Sequence, residues 1–69
     1  MYLITIKSEL KEILEKTKHL EGERLKEEVL FLLLEKLKKY NCKKYIYFDN
    51  GEMKDYTAEE LANLILSWR

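Results

Sequence analysis

Proline and glutamine are absent from this 69-residue chain, and Gly22, Gly51, Cys42 and His19 are its only glycines, cysteine and histidine. Two isolated glycines make no glycine-rich loop to cradle a phosphate. One cysteine closes no internal disulfide, and one histidine anchors no ordinary zinc site. Neither sign of charge is in excess: 13 basic residues balance 13 acidic ones. The global basic surplus of a dedicated nucleic-acid binder is therefore missing, and so is an acidic tail. The longest apolar run is far below the roughly 18 residues a membrane span requires. Met1 to Lys7 has neither the basic stretch nor the cleavage site of a secretory leader. With a single thiol, the expected compartment is the reducing cytoplasm.

What is present is concentrated. Val29-Leu30-Phe31-Leu32-Leu33-Leu34 is an unbroken apolar run within a charged helical pattern. At 100° per residue, six consecutive positions sweep the whole helix circumference, so no polar side faces water. A single small domain supplies little to cover it, and its core contributes only about 3–5 kcal/mol net. Without disulfide or metal, oligomerisation is the remaining support, most simply a twofold homodimer. Leu30, Phe31 and Leu34 are the expected dimer interface. The alternative is that sheet and neighbouring helices cover the whole run within one chain.

Tyr2 to Lys7 is β-branched and aromatic, as in a strand. Ser8 is the expected N-cap of a helix carrying Leu10, Ile13, Leu14, Thr17 and Leu20. A single helix from Ser8 to Tyr40 would be about 48 Å long. The apolar stripes before and after Gly22 also differ by roughly 130°. Two helices meeting at Glu21-Gly22-Glu23 satisfy both facts, with one long coiled-coil helix as the rival. Glutamates open the second helix and Lys36, Lys38 and Lys39 close it, as the macrodipole favours. Asn41 suits a left-handed C-terminal cap.

Asn50-Gly51 between Tyr45–Phe48 and Met53–Thr57 marks a two-residue hairpin. That register pairs Phe48 with Met53, Tyr47 with Lys54, Ile46 with Asp55 and Tyr45 with Tyr56. Thr57-Ala58-Glu59-Glu60 is a capping box, opening a helix with Leu61, Leu64, Ile65 and Trp68 on one face. The expected fold is α+β in the order β-α-α-β-β-α: a small three-stranded antiparallel sheet covered on one face by helices, forming one domain over residues 1–69.

No residue set supports catalysis, a metal or a cofactor. Asp49, Glu52, Asp55, Glu59 and Glu60 crowd the hairpin, but Gly51 follows Asp49 by two residues where a calcium loop needs five. Cys42 and His19 lack a third, orienting partner. Partner-binding candidates are Tyr45, Tyr47 and Tyr56 with Lys54, expected on an open sheet face opposite Ile46 and Phe48, with Tyr2 able to join them. Lys43 and Lys44 flank this set. Tyrosines there suit a protein interface; stacking of unpaired bases beside the lysines is the rival use.

In size, in its Glu and Lys richness and in its want of motifs, the chain resembles the short single-domain proteins of phages and other mobile elements. Many of those bind a host protein, as anti-CRISPR and other anti-defence inhibitors do. The resemblance implies an inhibitor that occupies another protein's surface. The expectation is a non-enzymatic interaction module, homodimeric, binding an unidentified protein, with nucleic acid the less favoured partner.

Overall fold

The alternation of strand and helix signals resolves into three strands and three helices. The computed structural model describes residues 1–69. The order is β1 (Tyr2–Ile6), α1 (Lys7–Lys16), α2 (Gly22–Lys39), β2 (Lys44–Asp49), β3 (Glu52–Tyr56) and α3 (Ala58–Leu66). The sheet order is β1-β2-β3.

One pairing departs from the all-antiparallel expectation. β2 and β3 are antiparallel, in the register the Asn-Gly turn dictates, but β1 runs parallel to β2. The sheet is mixed. Equal helical arms would return the chain to the end of β1 it had just left. Here α1 has 10 residues and α2 has 18, about 15 Å and 27 Å. The excess of α2 nearly matches the roughly 16 Å length of a five-residue strand. It carries the chain back to where β1 begins, and the Lys43 N–H donates to the Met1 carbonyl at 2.9 Å.

Local chemistry fixes the ends of the elements. Gly22, with φ +63°, opens α2 after the short connection that follows α1. Asn41 has φ +54°, and the Cys42 and Asn41 amides donate to the Leu37 and Lys38 carbonyls. That is the Schellman closure, with asparagine in the left-handed position. Asn50 and Gly51 both have positive φ, as a type I′ turn requires. Thr57 and Glu60 exchange both capping-box bonds, at 3.1 and 2.9 Å. The start of α1 differs from expectation: the helix begins at Lys7, with Ile6 rather than Ser8 at the N-cap and no side-chain cap. Strand passes directly into helix, so Ser8 lies inside the first turn.

The core joins Leu10 of α1, Leu25, Val29, Leu33 and Leu37 of α2, Tyr45 and Tyr47 of β2, and Ala58, Leu61, Ala62 and Ile65 of α3. The i, i+4 series on α2 faces inward because those positions share one stripe. Arg69 fastens the end of the chain to the α1–α2 connection, donating to the Leu20 and Lys18 carbonyls at 2.8 and 3.0 Å.

Candidate functional site

A pleated strand sends alternate side chains to opposite faces, and in this sheet only one face is covered. Thr5, Tyr45 and Tyr47 point toward the helices and are buried. Their neighbours in sequence point the other way. The register places Ile4 beside Ile46 and Asp55, and Ile6 beside Phe48 and Met53; Tyr2 lies beside Lys44. The outward set is thus Tyr2, Ile4, Ile6, Ile46, Phe48 and Met53, with Lys44 and Asp55 as its only charges. Ile4 is 57% exposed, Met53 58%, Tyr2 46%, and Ile6 and Phe48 42% each. Taking about 200 Å² for a large residue fully in water, these five open about 500 Å² of mostly apolar surface on one face. That reaches the upper range of the largest patch on a typical monomer.

The tyrosines occupy the opposite role to the one expected. They do oppose Ile46 and Phe48 across the pleat, but theirs is the covered side: Tyr45 is 1% and Tyr47 6% exposed. The Tyr45 hydroxyl donates to the Leu33 carbonyl of α2 at 2.8 Å. A satisfied hydroxyl removes the main cost of burying tyrosine, leaving a large ring free to bridge sheet and helix. Burial, reinforced by Cys42 and Glu9, pushes its pKa up to about 12. Tyr47 packs edge-on against Tyr56, with centroids 6.1 Å apart, and lies 6.2 Å from the Trp68 ring. Its pKa is also raised, first by burial and then by Asp49 and Tyr56. Tyr56 is half-buried on this side, Lys54 is exposed at its margin, and Tyr2 falls on the other face. Tyr45 and Tyr47 are therefore core, not a docking surface.

Lys43 is exposed in the approach to β2, while Lys44 lies partly buried at the edge of the open face. On α2, the apolar run divides: Val29 and Leu33 are buried, Leu30 and Leu32 half-buried, and Phe31 and Leu34 about half exposed. Internal packing covers part of the circumference and leaves a Phe31–Leu34 ridge in water. Between α1 and α2 lies a groove of about 310 Å³, lined by charges of both signs, among them Glu9, Glu12, Glu35, Lys16, Lys36 and Lys39. Lys36 reaches Glu9 across it at 3.5 Å, and Thr5 donates to the same carboxylate at 3.2 Å. Three glutamates and three lysines balance one another in number along the groove, and Lys36–Glu9 is the one pair among them that meets. His19 is exposed and Cys42 half-buried, and no three His, Cys, Asp or Glu side chains gather as a metal site would require. No helix is long and apolar enough to cross a membrane.

The signal for the open face was present in the residues: Ile4 and Ile6 alternate with Leu3 and Thr5, just as Ile46 and Phe48 alternate with Tyr45 and Tyr47. What alternation alone does not give is which set the helices cover. No family model, curated protein or solved structure matches the chain, so the site is read from its own residues.

Proposed function

We propose that this protein is a non-enzymatic interaction module whose working surface is the uncovered apolar face of its sheet. One observation carries the reading: Ile4, Ile6, Phe48 and Met53 stand open to water on one face while two tyrosines of the same sheet are buried. A face that exposes its most apolar residues is suited to meet another apolar surface. Its chemistry favours protein over nucleic acid, since the open face sets two rings, Tyr2 and Phe48, among aliphatic side chains with a single lysine, Lys44, and stacking platforms need a positively charged groove along their rings.

A photo-crosslinking residue at position 53, introduced in the source cell, tests this. Discrete protein adducts that disappear when Ile4 is also changed to lysine are the expected result. Adducts to nucleic acid, or protein adducts indifferent to Ile4→Lys, would refute it.

A further inference from the structure

We infer that the occupant of the open sheet face is a second copy of this chain, the two sheets packing face to face about a twofold axis. The inference rests on the interaction-module reading and names its partner. In such an isologous contact each outward residue serves both sides of the interface. That suits a face built from isoleucine, phenylalanine and methionine, whose surfaces complement others of their own kind.

Three observations favour a copy. The first is area: two faces of about 500 Å² each can bury up to roughly 1,000 Å², mostly apolar, which is the minimum for a biological interface and within reach of the stable range once the rims are counted. The second is charge. The chain is neutral overall, with 13 charges of each sign, so two copies meet without the self-repulsion that keeps highly charged proteins apart. The third is the form of the face. Its three rows of side chains lie on a short sheet, and sheets stacking about 10 Å apart interlock such rows into a sandwich core. The rival seam is the Phe31–Leu34 ridge of α2. It offers only those two apolar side chains, each about half exposed, with the exposed charges of Glu27, Glu35 and Lys38 close by on the same helix.

Sedimentation equilibrium of the full chain, from low micromolar to millimolar concentration, separates these arrangements. The wild type should have a mass near twice 8.4 kDa. The double variant Ile4→Lys/Met53→Lys should weaken association at least about a hundredfold, roughly 2.7 kcal/mol in dissociation free energy. Leu34→Glu should leave it unchanged. Circular dichroism identifies a double variant that fails to fold. In that case, isotope-filtered NOEs in a mixed-label wild-type sample decide, and contacts between Ile46 or Phe48 of one protomer and Ile4 or Met53 of the other are expected. A wild type that stays monomeric at millimolar concentration overturns the inference, as does dissociation by Leu34→Glu alone or a mixed-label sample without those NOEs. A monomer that still gives specific adducts from position 53 would leave the interaction-module reading standing and refute only the self-association.

Discussion

Replacing Tyr45 by phenylalanine keeps the buried ring and deletes one hydroxyl, so its effect isolates a single bond and a single ionisation. The bond joins the hydroxyl to the Leu33 carbonyl at 2.8 Å inside the core. Its loss should cost about 1 kcal/mol at neutral pH, without a cavity term because the ring remains. Burial raises the Tyr45 pKa from 10.0 to about 12. The folded form thus holds the phenolic proton more tightly than the unfolded chain does. The stability contributed by the protonated phenol is complete below pH 10, erodes above it, and is lost as pH rises through about 12. A shift of two units corresponds to about 2.7 kcal/mol. The two proteins' stabilities should therefore converge above pH 10, and the phenylalanine variant should become the more stable by roughly 1.5 kcal/mol near the upper end. Urea unfolding of both proteins at one concentration, at neutral pH and at steps from pH 10 to 12, measures this. The other four tyrosines titrate in both chains and cancel in the difference. A stability gap that does not change with pH would mean that the Tyr45 hydroxyl meets solvent, and the assignment of the covered face would fall with it.

Gly22→Ala places a side chain at φ +63°, where its Cβ meets nothing within 4 Å. The cost is therefore backbone strain of about 1–2 kcal/mol, offset by a less flexible unfolded chain, for a net loss near 1 kcal/mol. Thermal unfolding should show a fall of about 4–8 °C, and a neutral result would mean helix runs through this point. Thr57→Ala removes the acceptor for the Glu60 amide and should cost about 1 kcal/mol by chemical denaturation. The Glu60 carboxyl lies below its ordinary value chiefly because of the backbone and side-chain bonds to Thr57. Its stabilising effect is thus present above the unfolded-state pKa and is lost as pH falls through the lowered folded value. A carboxyl-carbon NMR titration should show that depression largely relieved in Thr57→Ala; an unchanged midpoint would count against the capping box.

Punctuation was the most legible part of the sequence because it depends on a few residues with sharp backbone preferences. Gly22, Asn41 and Asn50-Gly51 all occupy left-handed conformations, and the Thr57–Glu60 box closes as its spacing demands. The buried stripe of α3 followed from periodicity for the same local reason, with Leu61 and Ile65 fully covered and Leu64 and Trp68 partly so. Strand direction was not local. Whether β1 and β2 run parallel depends on the unequal lengths of two intervening helices, and α1 starts one residue before its nominal cap, with no turn after the strand.

The face assignment shows where hydropathy misleads in a sheet this small. Ile46 and Phe48 rank as more apolar than Tyr45 and Tyr47, so burying them looks favourable when each strand is weighed alone. The helix layer reverses the order. A tyrosine reaches farther than an isoleucine, and from β2 its hydroxyl spans to the Leu33 carbonyl while a second ring packs against Tyr56 and Trp68. These contacts let few residues fill the space between sheet and helices at low cost in unsatisfied polar groups, and no buried side-chain nitrogen or oxygen lacks a partner. The consequence falls on the other face. Some 500 Å² of apolar surface left in water, at about 25 cal/mol per Å², forgoes roughly 12 kcal/mol of transfer free energy. That is comparable to the whole net stability of an ordinary domain. Burying half of that surface against a partner would return about 6 kcal/mol, so substitutions at Ile4, Ile6, Phe48 and Met53 are expected to act on association, and those at Tyr45 and Tyr47 on folding.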